Sequence, residues 1–208
     1  ELVDAVMGIR PIASGTVLLG DADVTAWPTR KVREAGVSCI PEDRTRQGLL
    51  LEAPLWENRM LGHQTQPPNA RGPLLDRAGA RADTDRIVAE YDVRTPSIDV
   101  PASALSGGNQ QKLIVGREMS GDLKVLVAAH PTRGVDVGAQ AAIWEHIRNA
   151  RAAGLAVLLI SADLDELIGM SDTLRVLFRG RLVAEFDPRA VTPQLLGAAM
   201  TGAKAGAA

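Results

Sequence analysis

Leu105-Ser106-Gly107-Gly108-Asn109-Gln110-Gln111-Lys112 decides how the rest of the chain is read. Ser106 is a good helix N-cap, and Leu113, Ile114 and Arg117 continue at helical spacing. Gly107 and Gly108 leave no side chain where the first backbone N–H groups of that helix point outward. Such an end carries positive partial charge and accepts an anion. Taken alone, the run also reads as a capped helix with two incidental glycines. Its neighbours carry the same theme. Downstream, Lys124-Val125-Leu126-Val127-Ala128-Ala129 is an apolar strand that runs into His130-Pro131-Thr132-Arg133-Gly134-Val135-Asp136. Upstream, the apolar strand Val37–Ile40 is closed by Pro41 and followed by the polar loop Glu42-Asp43-Arg44-Thr45-Arg46. Loops at the carboxyl ends of strands are where α/β sheets bind ligands.

Further out, a helix over residues 1–7 stops at Gly8, and a strand is expected at 15–19 with a turn at Gly20-Asp21. Residues 56–62 and 83–91 read as helices, with Ile87 and Val88 facing a core and no convincing strand between 54 and 121. Alternation then resumes. Strands are expected at 125–129, 156–161, 174–178 and 181–185, and helices at 137–151, 164–170 and 193–200. Strands alternating with helices predict an α/β fold with a parallel sheet and a helical insert. The chain has 208 residues, 46% of them hydrophobic, enough for a core and incompatible with a disordered segment or a disulfide scaffold. Its 23 basic and 25 acidic side chains give a net charge of -2, so no basic excess points to nucleic acid. The single cysteine, Cys39, reads as a small apolar filler. No metal site is expected, and His63 and His146 have no ligand spacing and no assigned role. No run is long enough to span a membrane, and nothing resembles a signal peptide.

The order and spacing of Leu-Ser-Gly-Gly, the strand ending in Pro-Thr, and Gly134-Val135-Asp136 resemble the nucleotide-binding domain of ABC transporters. Ile40-Pro41-Glu42-Asp43-Arg44 stands at that family's Q-loop and Leu159-Ile160-Ser161-Ala162-Asp163 at its H-loop, so the resemblance covers nearly the whole chain. Pro-Glu-Asp-Arg, Asn109-Gln110-Gln111-Lys112 and the run from Pro131 to Ala139 are similar to the second half of the tandem proteins that power simple-sugar and nucleoside importers. Glu90-Tyr91-Asp92-Val93-Arg94-Thr95-Pro96-Ser97 points to the nucleoside branch. The resemblance implies a P-loop NTPase-like fold divided into an ATPase core at 1–53 and 122–200, a helical subdomain at 54–121 and a flexible tail at 201–208.

Three departures from the family pattern bear on activity. No G-x-x-x-x-G-K-[ST] phosphate loop occurs in the sequence. The chain opens at Glu1 within a helical pattern and without an initiator Met, so the first strand and phosphate loop are expected to precede it. The positions of the Mg²⁺-orienting Asp and the catalytic Glu hold Ala129 and His130, and the H-loop position holds Ala162. None of the three supplies the family's group, so no intact catalytic residue is expected here.

The resemblance then implies an asymmetric role. Ser106, Gly107, Gly108, Asn109 and Gln110 would close in trans over an ATP, with Mg²⁺, held mainly by a partner ABC half. Asp136, at the D-loop, would lie at the seam between halves, or serve only as a helix N-cap. Glu42 would touch the metal or a permease loop, or be an ordinary solvated carboxylate. Trp56 and Asn58 fall where the family forms its permease groove, and Trp144 reads as packing. Transmembrane permease subunits and, indirectly, a substrate-binding protein are the implied partners, at the cytoplasmic face of the plasma membrane. A soluble ABC ATPase outside transport and a non-functional truncated remnant are the competing readings.

Overall fold

A computed structural model of the chain describes residues 1–202. The expected tail lies, from residue 203 on, outside the described residues. The chain divides into two compact units, Glu1–Leu158 and Leu159–Ala208.

The first unit is built on β3 (Val37–Ile40) and β6 (Val125–Ala129), in a sheet of order β3, β6, β7 (Ala156–Ile160) whose last strand contains the division between the units. β3 and β6 are parallel, with Cys39 opposite Val127 and Ile40 opposite Ala128. This register brings the two strands out level at their carboxyl ends, so the loops that follow them emerge side by side. β6 is apolar throughout because both its faces are covered, and Leu126, Val127 and Ala128 are fully buried. Met7, Val32, Val37 and Val127 form one core cluster, joined by Val3 and Val6 of α1 (Leu2–Val6), by Trp27 and by Cys39. Each large aliphatic side chain so buried contributes about 1.5–3 kcal/mol. Burial pushes the Cys39 thiol up to about 12, in keeping with a filler.

Helix α4 (Arg77–Glu90) packs against both α3 (Leu55–Met60) and α5 (Gly107–Glu118). Gly116 allows the closest approach: a Cβ there would lie 2.5 Å from Ile87 Cγ2 and 2.9 Å from Tyr91 Cδ2. Ile87 is buried, while Val88 is only half-buried. The Tyr91 ring stacks on His146 of α6 (Val137–Ala152) at 4.1 Å, which gives that histidine a packing role.

Several expectations are corrected. The strand expected at 15–19 is reduced to β1 (Leu18–Leu19), paired antiparallel with β2 (Ala22–Asp23) around Gly20 at φ 59°. The middle region does contain strands, a hairpin of β4 (Ala70–Arg71) and β5 (Leu74–Leu75). Helix α4 starts at Arg77, well before residue 83, because Asp76 caps it by accepting from Gly79 N at 2.9 Å. Asn58 is fully buried, and its amide is spent on the Leu50, Ala53 and Pro54 backbone, so it is not a surface contact.

In the second unit, β8 (Leu174–Phe178) and β9 (Arg181–Phe186) form a hairpin closed by Arg179 and Gly180, both at positive φ, as a tight two-residue turn requires. Leu174 and Val176 pack with Leu196 of α8 (Pro193–Met200) and with Leu164, Leu167 and Ile168 of α7 (Leu164–Met170).

Candidate functional site

Three segments of the first unit meet at the amino end of α5. The first is the helix end itself. Ser106 is extended (φ -63°, ψ 157°), and its Oγ accepts from Asn109 N at 3.4 Å and from Asn109 Nδ2 at 3.0 Å. Asn109 Oδ1 in turn accepts from Arg94 N at 2.9 Å. Ser106 is exposed and Gly107 to Asn109 are half-buried, so the N–H groups of the first turn face an accessible surface.

The second segment is the loop after β3. Asp43 caps a short π-turn (Arg44–Gly48), its Oδ1 accepting from Thr45 N at 3.0 Å and Arg46 N at 3.1 Å. A further bond from the Thr45 hydroxyl, with that from Arg46 N, holds the Asp43 carboxyl below its ordinary range. Arg44 points back across the site. Its Nε donates to Gln110 Oε1 at 3.3 Å and one terminal nitrogen to the Arg133 carbonyl at 3.0 Å. The other lies so close to Gly107 that a Cβ there would come within 2.7 Å of it, so any larger residue would require the guanidinium to shift.

The third segment is the loop after β6. His130 sits at φ 49° and Gly134 at φ 69°, and the turn between them brings Arg133 to Glu42, paired at 2.9 Å with both side chains exposed. Asp136 caps α6 by accepting from Ala139 N at 2.9 Å, the bond that lowers its pKa. A Cβ on Gly108 would lie 3.3 Å from the Asp136 carboxylate, so α5 and the cap of α6 are in close register. Gln111 Nε2 donates to the Pro131 carbonyl at 2.7 Å and Gln110 Nε2 to the Ala102 carbonyl at 3.0 Å.

Ser106, Gly107, Gly108, Asn109, Gln110, Glu42, Asp136 and His130 are thus within one assembly of loops, with Ala129 buried at the end of β6 behind it. Ala162 belongs to the second unit, where it is exposed ahead of Asp163, the N-cap of α7.

No protein-family model matches the chain. It is 41% identical over 202 residues to the guanosine import ATP-binding protein NupO of Bacillus subtilis, covering 97% of this chain and 40% of that protein. To the ribose import ATP-binding protein RbsA 1 of Streptomyces avermitilis it is 42% identical over 185 residues, 89% of this chain and 35% of that protein. The chain is a homologue of import ABC ATP-binding proteins. It spans well under half the length of these relatives. A dimeric ATP-binding cassette bound to ADP and phosphate superposes with a TM-score of 0.74 at 14% identity, over 91% of this chain and 80% of that one, which shows the shared fold.

In this ABC homologue, sequence reasoning quoted Arg44 within a motif but gave it no part in the site. No local pattern marks it, since its partners Gln110 and Arg133 lie 66 and 89 residues away. A second group outside the sequence reading lies at the far end of α5. Glu118 is fully buried, with Oε2 2.6 Å from an Arg33 nitrogen of α2 (Thr29–Glu34) and 2.5 Å from Ser38 Oγ of β3. Its Oε1 accepts from Arg117 Nε at 2.7 Å. Arg117 also donates to the Gly48 carbonyl at 2.8 Å and the Asn58 carbonyl at 3.2 Å.

Proposed function

We propose that this chain is the second ATP-binding half of an ABC importer for nucleosides or simple sugars, and that it acts on an ATP held by another ABC half. The observation that carries this reading is the convergence of the Ser106-to-Gln110 helix end with the loops after β3 and β6. The donor set there suits phosphate. The first-turn N–H groups of α5 are aligned with the positive end of the helix, and Gly107 and Gly108 let Arg44 and Asp136 pack against that end. Asp136, beside Gly108, stands at the seam between halves, and Glu42 stands at the loop that faces the permease.

The same chain does not suit the metal side of the chemistry. Ala129 ends β6 with a methyl group where an oxygen is needed to orient a Mg²⁺ water, and His130 offers an imidazole in place of a carboxylate. Ala162 brings no polar side chain. Hydrolysis is therefore assigned to the partner half, with Mg²⁺ and most of the ATP held there. Residues 1–53 and 122–200 form the ATPase core in this reading, and 54–121 the helical subdomain.

Among the described residues no helix is long and apolar enough to cross a membrane. Attachment to the cytoplasmic face of the plasma membrane is assigned to docking on permease subunits, which exchange substrate with a binding protein. The nucleoside choice draws on the guanosine import relative. The test is ATP turnover by the assembly of this chain with its partner half. Ser106→Arg places bulk and charge over the helix end and is expected to reduce turnover by at least about 100-fold, whereas His130→Ala leaves it unchanged. Full turnover by Ser106→Arg would sink the proposal.

A further inference from the structure

We infer that Arg44 is a positioning residue, the clamp that sets the spacing between the signature-bearing helix end and the loop after β6. This rests on the trans-site reading above and adds to it a residue that acts through others.

Arg44 touches both segments at once from the loop after β3, beside the direct bond that Gln111 of α5 makes to the Pro131 carbonyl. Its Nε reaches Gln110 Oε1 at 3.3 Å, one turn into α5, and a terminal nitrogen reaches the Arg133 carbonyl at 3.0 Å, within the turn that leads to Asp136. Both acceptors are neutral, so the fixed fork of the guanidinium, and not charge pairing, defines the distance between them. The glycines on either side fit this account. A Cβ would come within 2.7 Å of the Arg44 guanidinium at Gly107 and within 3.2 Å of it at Gly134. Two segments thus leave a slot, and one planar group fills it.

The acceptors are themselves held. Gln110 is anchored by its other amide atom to the Ala102 carbonyl, and Arg133 by its side chain to Glu42, two residues before Arg44. The base of the clamp is held by Asp43, which caps the π-turn that starts at Arg44. Removing the guanidinium therefore loosens the spacing between the Gly107–Gln110 end and the Arg133 turn, while the buried Gln111–Pro131 bond keeps both segments folded and joined. Both segments must address the same ATP, and a misplacement of about 1 Å can cost up to about 100-fold in turnover. Lysine cannot substitute, because a single ammonium on a flexible stem does not hold two acceptors at a set separation.

The experiment measures steady-state ATP turnover and the thermal midpoint of the assembly with its partner half, for Arg44→Ala, Arg44→Lys, Gln110→Ala, Arg44→Ala with Gln110→Ala, and Ser106→Arg. The expected result for Arg44→Ala is a kcat lowered by about 10- to 100-fold, with KM for ATP and the midpoint unchanged. Arg44→Lys fails to restore it, and the loss in the double variant is less than the two single losses combined, because Arg44 and Gln110 share one contact. Wild-type kcat in Arg44→Ala overturns the inference while inactive Ser106→Arg leaves the trans-site reading standing. A loss of kcat that tracks a lowered midpoint also overturns it, reducing Arg44 to a brace. Full turnover by Ser106→Arg removes the trans site, and the inference falls with it.

Discussion

Gln111 Nε2 and the Pro131 carbonyl are 2.7 Å apart, joining the second turn of α5 to the loop behind β6 in a fully buried contact. Gln111→Ala leaves that carbonyl without its donor in a place shielded from solvent. The expected cost is about 1–3 kcal/mol of unfolding free energy, read from urea titration. An unmoved midpoint would show that water replaces the amide.

Acid is expected to destabilise the fold in two stages. Burial lowers the pKa of His63, with Arg33 opposing its charged form and Glu118 favouring it. Burial opposes ionisation of Glu118, but Arg117, His63 and Arg33 together outweigh it and hold the carboxyl well below its ordinary range. Both groups bind protons more readily in the unfolded chain, so their contributions are complete above the unfolded values and shrink as pH falls. Stability declines below about pH 6.5 through His63 and again below about pH 4.5 through Glu118. His63→Gln should abolish the first decline and keep the second, as measured by urea titrations across pH.

Breaking the buried cluster has a larger effect than titrating it partway. Glu118→Gln leaves Arg33 and Arg117 without their counter-charge, at a cost of about 3–5 kcal/mol. Against the roughly 5–15 kcal/mol of a typical domain, this variant should melt far below the parent in a thermal scan.

Two glycine-to-alanine changes should move stability in opposite directions. Alanine favours a helix over glycine by about 1 kcal/mol, but at Gly116 the new methyl collides with Ile87 and Tyr91, and overpacking costs about 1–3 kcal/mol. Gly116→Ala is therefore expected to lower the midpoint. In α8, nothing lies within 4 Å of a Cβ at Gly197, so Gly197→Ala should raise it.

The strands β3 and β6 and the helices α7 and α8 were legible to the residue, because apolar runs, Pro41, Asp163 and Thr192 mark their limits. The signature run was legible as a capped helix for the same reason. The β4–β5 hairpin was not, since its strands are two residues each and Leu74 and Leu75 are exposed, so no buried face imposes a period. Asn58 read as a groove residue because its position, not its partners, suggested a role. Arg44 and Glu118 escaped for a different reason. Arg44 meets Gln110 and Arg133 66 and 89 residues away, Glu118 meets Arg33 and Ser38 85 and 80 away, and a pairing made by folding leaves no mark in local spacing.

Helix α5 is tied at both ends, by Gln110 and Gln111 to the loops of the site and by Arg117 and Glu118 to β3, α2 and the Gly48 and Asn58 carbonyls. Its 12 residues extend about 18 Å. Anchored at both ends, the helix has the geometry of a stiff rod, and a tilt imposed where Arg117 grips Gly48 and Asn58 is expected to displace Ser106.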